Sequence, residues 1–599
     1  MRGREGQSPA VPPVARAARR AQRAWLLVAL GIFTAATLST YWPVFRDGSK
    51  QVALESRLPD QPSSRPRDIK DSDLMFEAWL VARHAHTFVH NPLRLFQAEH
   101  CAPEDNALVF GIPMITMGIL AIPFYLATGE PVQTFNLVLL TMTLIGAIAM
   151  YLLIVEWTKV PGAGIVAGLV FCLHPIRMLD IAHPSVWDTT WTLIAIFFSV
   201  RLFARGRWLD AIGLSIALAL QIWASIYPFL AAIFLMTPVA LWLCMKYRLR
   251  NVSVAQLLLV AASGTLAAAI LFLPYLEAQS AGQLRAKFAL FSPWSFYLPD
   301  GIFFMSWTLL VLSSLSLIIG RKRTLGGLDA DPRWALLAGI AFVAIIAAGP
   351  YLNDIWGVLG IGPVFIIPNL GRLMREAVPG LDSIRGYARV GAGGVQLGLC
   401  VLAGIGAAGL IRLGGRYGVL VAAGLIVVAA ADTLRPHFLG LAPRYELHTV
   451  QIRPSDSAIA FYQRLEDLEN RGPIFQVPGG FTSFKPVELS DILLSAFHHR
   501  RTSACFGSHR PASQTMLSNI AKRLPSREAF KELQALGFTT IVVQEKSRSS
   551  KAGTTKGRYR LKRRSTRFRE SAEQHQDVLR RIHSEGTRTA YALLETGQD

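Results

Sequence analysis

The chain has 599 residues, 52% of them hydrophobic and only 17% charged. That balance excludes a soluble protein of this size, and repeated apolar runs of about 18–23 residues identify a polytopic membrane protein. The net charge of +21 gathers in an N-terminal arm, in short loops between apolar runs and in the tail from Lys546 to Arg581; orientation in a bilayer accounts for the loop part better than nucleic-acid binding does.

In chain order, residues 1–23 read as a basic cytoplasmic arm without a cleavage site, leading into a signal anchor from Trp25 to about Trp42. A polar loop fills 45–106. The next segment, about 110–126, is apolar but interrupted by Pro113 and Pro123. Further apolar segments cover about 132–155, 162–181, 187–203, 209–226, 227–245, 253–275, 301–320, 333–350, 391–411 and 417–431. From about 432 onward the chain reads as soluble α/β. Strand patterns fall at 473–477, 539–543 and 589–595, helical patterns at 455–468 and 526–535, and a Gly/Ser/Lys/Arg-rich loop at 546–569.

Alternate loops are basic: Lys159, then Arg201, Arg205 and Arg207, then Lys246, Arg248 and Arg250, then Arg321–Arg323 with Arg333, then Arg412 and Arg416. The turns near His183–Trp187 and Ala224–Pro228 hold no Lys or Arg. The positive-inside rule places the basic set in the cytoplasm. A cytoplasmic N-terminus then requires the Pro-broken 110–126 segment to be re-entrant or interfacial. Eleven spans remain, and 45–131, 276–300, 351–390 and the C-terminal region all face outside.

The first outer loop holds Asp71-Ser-Asp-Leu-Met-Phe-Glu-Ala-Trp79. If a helix starts here, Asp71 or Ser72 caps it, and Asp73 and Glu77 share one face. Two like charges on one face repel, which suits placement for a task or a partner; a solvated helix start at a membrane surface is the simpler alternative. Trp79 gives the segment an apolar side that can lie on a membrane. His84, His86 and His90 show no fourth ligand and read as interfacial residues rather than a metal site. Cys172, Cys244 and Cys400 fall within apolar spans, and the five cysteines show no metal-ligand spacing. Cys101 and Cys505 are the two that the topology exposes to an oxidising compartment. They form either a bridge, if the C-terminal domain folds over the first loop, or two free thiols.

The order of several short motifs resembles the GT-C fold glycosyltransferases, and most closely a large bacterial group of them. The motifs are Asp73 with Trp79, Asn91-Pro92 with Pro103, the Pro113–Pro123 segment and Phe135-Asn136-Leu137. They continue with His174-Pro-Ile-Arg177, His183 and Trp187, Leu220-Gln-Ile-Trp-Ala-Ser225 with Tyr227, and Ser383-Ile-Arg-Gly-Tyr-Ala-Arg389. Phe475-Gln-Val-Pro478, His498-His-Arg-Arg501, Gly507 with Pro511 and Gly537–Val543 complete the series. One departure is that the group often reads Gly-Asp in the first loop, whereas Asp73 follows Ser72.

The resemblance implies a mainly α, polytopic bundle with a C-terminal α/β domain, in the cytoplasmic membrane of a bacterium. Its implied activity moves a sugar, a hexose or a pentose, from a polyprenyl-phosphate donor to a glycan, lipid or protein acceptor on the outer face, with inversion. A first-loop carboxylate acts as base: Asp73, with Asp71 as the alternative. Asp71-Ser-Asp73 also spells a pattern that binds Mg²⁺ or Mn²⁺ through oxygen ligands in some members; others work without metal. Arg177 and His183, read at an outer helix end, are candidates for phosphate or sugar contact, as is Glu77; snorkelling is the alternative for the first two. Arg385 and Arg389, four residues apart, would present two guanidinium groups to a phosphate, or to lipid headgroups. Two other classes compete: a transporter or flippase of lipid-linked sugar, which would carry inverted repeats and mid-span polar residues that are not seen here, and a non-catalytic membrane scaffold.

Overall fold

The computed structural model describes residues 13–57, 67–174, 177, 181, 183–284, 305–328, 331–347, 370–378, 381, 384, 387–434, 446–466, 472–477, 486–544, 568, 570, 572 and 574–594. The membrane part contains α1 (Pro13–Phe45), β1 (Gln51–Arg57), α2 (Arg67–His90), α3 (Ile115–Thr128), α4 (Pro131–Thr158), α5 (Pro161–Cys172) and α6 (Pro184–Trp187). It continues with α7 (Thr190–Arg205), α8 (Trp208–Ala224), α9 (Ile226–Tyr247), α10 (Val254–Ser280), α11 (Trp307–Ile318), α12 (Arg333–Ala347), α13 (Tyr387–Leu413) and α14 (Gly418–Leu434). Proline and glycine punctuate this series. Pro131, Pro161 and Pro184 open helices at the first turn, where a fixed φ suits the helix and a missing N–H costs nothing. Gly129 and Gly206, both at φ 63°, close α3 and α7 in the left-handed conformation.

Among the described residues, 7 helices are long and apolar enough to cross a membrane: Arg20–Phe45, Pro131–Thr158, Pro184–Arg205, Ile226–Tyr247, Val254–Ser280, Arg389–Leu413 and Gly415–Asp432. The protein is an integral membrane protein. The other four expected spans coincide with shorter apolar helices, α5, α8, α11 and α12. The largest difference is at α5, which stops at Cys172 rather than running to 181. Pro175 disfavours helix at the residue before it and cannot donate to the ladder. The Pro-broken segment forms α3, a helix of 14 residues with Pro123 inside it. At about 1.5 Å per residue it is shorter than a hydrocarbon core of about 30 Å.

The bundle core is centred on α13, whose span is 83% buried. Its glycines let neighbours approach: a Cβ at Gly406 would meet the Leu312 carbonyl oxygen at 1.9 Å, and one at Gly398 would meet the Ile340 side chain at 2.4 Å.

The C-terminal part is α/β, as its strand patterns predict. It comprises β2 (Glu446–Gln451), α15 (Asp456–Glu466), β3 (Ile474–Val477), α16 (Pro486–His498), α17 (Ser513–Arg523), α18 (Arg527–Ala535), β4 (Thr540–Gln544), β5 (Leu579–Glu585) and β6 (Arg588–Leu593). The sheet order is β3-β4-β6-β5; β3 and β4 are parallel and the other pairs antiparallel. The loop expected at 546–569 lies outside the described residues apart from Phe568.

This part does not stand apart from the first polar loop. β1 pairs antiparallel with β2, Gln51 opposite Gln451. One hydrophobic core joins Phe76, Trp79 and Phe110 of the loop to Leu489, Ile492, Leu493 and Cys505 of the C-terminal part. Each fully buried large apolar side chain in such a core contributes about 1.5–3 kcal/mol. Cys101 and Cys505 form a disulfide, so the bridge is present and the free-thiol alternative is not. Around it the backbones bond directly: Cys101 N–H to Ala504 at 2.8 Å and Ala102 N–H to Thr502 at 2.9 Å. A Cβ on Gly507 would meet the Phe110 carbonyl oxygen at 2.2 Å, a close approach only glycine permits. Arg453 adds a bidentate pair to Glu130, both contacts at 3.0 Å.

Candidate active site

Helix α2 begins at Arg67, not at the Asp71-Ser72 cap position, because the helix-compatible run Arg67-Asp-Ile-Lys precedes it. Asp73 and Glu77 therefore lie inside a formed helix, one turn apart and on one face. The segment His183–Ser185, which opens α6 at Pro184, runs alongside. His183 Nε2 lies 2.9 Å from Asp73 Oδ2, and Ser185 Oγ donates to Glu77 Oε1 at 2.8 Å. The repulsion between two like charges on one helical face is thus answered by two donors placed two residues apart on the facing segment.

Burial separates the two carboxylates. Glu77, expected from the sequence to contact phosphate or sugar, is 1% exposed and accepts from the buried Ser185. The Asp73 side chain remains 26% exposed, whereas that of His183 behind it is 6% exposed. The Asp71 side chain and all of Arg385 lie outside the described residues.

Arg177 is not at an exposed helix end. It is 1% exposed, and its guanidinium stacks 4.6 Å from the Phe171 ring centroid and 4.4 Å from that of Trp187. The fully buried Asp188 is the carboxylate that acts on it most strongly. The snorkelling and phosphate-contact readings both give way to a buried cation, because α6 and α7 close over it. Asp188 Oδ1 accepts from the Thr190 N–H at 3.2 Å. Its backbone carbonyl accepts from Gln221 Nε2 at 3.1 Å, while Gln221 Oε1 accepts from Thr192 Oγ1 at 2.7 Å. Sequence reasoning missed Asp188. The signal was available: a carboxylate in an apolar stretch whose single cation between Lys159 and Arg201 is Arg177.

Trp79 does not lie on the membrane. It is fully buried, with its ring 4.8 Å from His100 and 5.4 Å from Phe76, because the 91–114 loop and α16 cover that side of α2. The floor beneath is tied by Arg83, another residue the sequence did not single out. Arg83 donates to Glu99 Oε2 at 3.2 Å and to the carbonyls of Arg94 at 3.1 Å, Gln97 at 2.8 Å and Leu95. Burial pushes the Glu99 carboxyl up and the guanidinium down, and their mutual attraction opposes both shifts. His100 is held down to about 3 by burial and by the Arg83 charge.

The other first-loop histidines have neighbours of their own. His84 Nε2 lies 2.6 Å from the Pro113 carbonyl oxygen. His86 is stacked between His90, at 4.1 Å, and His499 of the C-terminal part, at 3.6 Å. Stacked rings point their lone pairs side by side rather than at one point. No group of three metal-ligating side chains occurs among the described residues. Of the two carboxylates expected to bind Mg²⁺ or Mn²⁺, Asp73 is described, with its Oδ2 facing His183, and the Asp71 side chain lies outside the described residues.

A cavity of about 370 Å³ opens beside this region. Apolar rings from α9 and α10 line it, among them Tyr227, Phe229, Phe272 and Tyr275, and Ser508 and His509 of the C-terminal part complete one wall. Gly111, also in the lining, is held against Phe76, three residues after Asp73. Arg389, partly buried at the start of α13, lies 5.7 Å over the Tyr227 ring. Tyr387 is buried, its hydroxyl donating to the Leu381 carbonyl at 3.1 Å.

No family model matches the chain, and no curated protein matches it in sequence. Among solved structures it is similar to the arabinofuranosyltransferase AftD from Mycobacteria, with a TM-score of 0.50 and 13% identity. The likeness covers 95% of this chain and 40% of that one, so the chain spans well under half of AftD. A structure of an AftD mutant gives 14% identity, with the same 95% coverage of this chain and 41% of that one, at a TM-score of 0.49. Identity this low speaks for architecture alone: the chain has the helical membrane fold of the GT-C type that its motif order resembles.

Proposed function

We propose that the protein is a membrane glycosyltransferase of GT-C type that transfers a sugar from a polyprenyl-phosphate donor to an acceptor hydroxyl at the outer membrane face, with inversion. The observation that carries this reading is Asp73, a partly open carboxylate held by His183 on the helix whose Phe76 meets Gly111 in the lining of an apolar cavity, with Arg389 over the ring of Tyr227, another lining residue. Asp73 takes the proton of the acceptor hydroxyl as that oxygen attacks the anomeric carbon. The bond from that carbon to the phosphate oxygen breaks on the opposite face, and polyprenyl phosphate leaves with the electron pair. The aromatic cavity suits a prenyl chain, and Arg389 at its edge suits the phosphate; Arg385 would act beside it. AftD is named an arabinofuranosyltransferase, which makes a pentofuranosyl donor the first to try. Orientation is part of the proposal: the basic loops are cytoplasmic, and the first loop and C-terminal domain are extracytoplasmic.

The test is incubation of purified protein with radiolabelled polyprenyl-phosphate sugars, arabinofuranose first, and an envelope-glycan acceptor extract. Labelled product and free prenyl phosphate are expected, and both should vanish in Asp73→Asn. Consumption of no donor, or equal turnover by Asp73→Asn, overturns the reading. Reporter fusions after Arg207 and after Thr433 should report opposite sides; the same side would refute the orientation.

A further inference from the structure

The sequence offers His183 as a ligand of phosphate or sugar. The geometry points to a different task, one that rests on the glycosyl-transfer reading above: His183 is the positioning residue of Asp73, holding one carboxylate oxygen so that the other faces the acceptor. Three observations carry this.

The first is the order of burial. Of the two partners, the imidazole is the enclosed one, at 6% side-chain exposure, and the carboxylate the open one, at 26%. A substrate arriving from the open side meets Asp73 before it meets the ring. The second is the atom in use. A carboxylate only accepts, so the Nε2 that faces Asp73 Oδ2 at 2.9 Å is the protonated nitrogen. That N–H is committed to Asp73 and is not presented to a donor phosphate. The third is register. The Ser185-to-Glu77 bond at 2.8 Å repeats the contact one helical turn on. Two rungs fix both the rotation of α2 and its height against the 183–185 segment, where a single contact would leave a pivot. Glu77, buried and one turn inward, anchors the ladder whose outer rung carries the chemistry.

In the reaction, the acceptor proton passes to Asp73 Oδ1 while Oδ2 keeps its bond to His183, and it then leaves to water through the open face. His183 neither gains nor loses a proton over the cycle.

The experiment compares His183→Ala with His183→Gln, whose amide N–H can reach the same oxygen, and with Ser185→Ala. Two readouts are used: turnover of the polyprenyl-phosphate arabinofuranose probe, and equilibrium binding of farnesyl phosphate, which carries the phosphate but no sugar. A misplaced catalytic group typically costs about 10- to 100-fold in rate. His183→Ala should therefore lose about that much in kcat with the donor KM unchanged, and His183→Gln should recover most of it. Ser185→Ala should give a smaller kcat loss of the same kind. All three should bind farnesyl phosphate as the unmodified protein does. A donor KM or farnesyl phosphate Kd raised about tenfold or more in both His183 variants, with kcat kept, would make His183 a phosphate ligand and overturn the assignment. Equal kcat losses in the alanine and glutamine variants would overturn it too, since a donor N–H would then not matter. Failure of the parent reading looks different: Asp73→Asn would turn over normally, whatever the His183 variants did.

Discussion

Two carboxylates with nitrogen partners meet at α6, Asp73 through His183 before it and Asp188 directly after it, and they differ in one respect. Asp73 with His183 leaves its acid partly open, while Arg177 with Asp188 is sealed between Phe171, Trp187 and the start of α7. Each joins a carboxylate to a nitrogen group, an imidazole in one and a guanidinium cation in the other, but solvent access divides the tasks. An open carboxylate can exchange a proton with an incoming hydroxyl. A sealed carboxylate cannot; with the buried Arg177 charge near it, it fixes the wall that the open one leans on, since Trp187 closes α6, the helix that His183 and Pro184 begin.

The sharpest way to break this contrast is to neutralise each acid in turn. Asp73→Asn preserves shape and hydrogen bonding, so the protein should fold and insert normally while transfer falls by about 10²- to 10⁴-fold. Full turnover would move the base elsewhere and remove the distinction. The sealed pair should respond in stability instead. Arg177→Met strands the buried Asp188 carboxylate and should cost roughly 3–5 kcal/mol, read as a lower melting temperature and lower yield in detergent. The double variant Arg177→Met with Asp188→Leu should recover much of that loss, because no uncompensated charge remains. If the single variant melted like the parent, Arg177 would not be the structural cation that its burial implies.

Much of this arrangement was legible in the sequence, but unevenly. The apolar runs located the helices because a membrane span is a local signal, and three of the strands announced themselves as short buried runs. Asp73 and His183 were each singled out, but nothing local joins residues separated by 110 positions. Trp79 was misplaced for a related reason. A periodic pattern shows that one side of α2 is apolar without showing what covers it, and here the cover is protein rather than lipid. β1 went unread because Gln51-Val-Ala-Leu-Glu-Ser-Arg57 becomes a strand only by pairing with β2 far along the chain. Cys101 and Cys505 could be picked out by elimination, but their meeting depends on the docked C-terminal domain.

That docking gives the next, smaller test. Cys101→Ser with Cys505→Ser removes the covalent tie between the loop carrying Asp73 and the C-terminal domain. Loss of a bridge that closes a long loop costs about 2–4 kcal/mol. The β1–β2 pairing, the shared core and the Arg453–Glu130 pair remain, so the domain should stay docked while melting earlier. Activity should fall only near the new melting range. A variant that lost activity at low temperature with its melting unchanged would show that the bridge shapes the open carboxylate directly.

The smallest expected effect concerns pH and the imidazole stack that seals the same junction. His86 is held down to about 4, by burial first and then by His90 and Arg83. His499 is held down to about 3, by burial first and then by His86 and His90. From α3 the facing group is the Tyr125 hydroxyl, 3.2 Å from His86 Nδ1, and from α2 itself it is Arg83, paired with Glu99 of the following loop. All the cations nearby are therefore like charges to a protonated ring. An unfolded histidine takes its proton near pH 6.5. Between that value and about 4 the unfolded chain binds protons that the docked stack refuses. Stability is thus fully present above about pH 6.5 and declines as pH falls toward 4. His84, His100 and His498 are depressed in the same sense, so the informative quantity is a difference between variants. His499→Gln should flatten part of the decline in melting temperature between pH 7 and 5, and the effect should reach protease sensitivity at the junction between α2 and the C-terminal domain. Identical slopes for the variant and the parent would mean that the stack is packing alone, and that the junction's stability owes nothing to keeping its imidazoles neutral.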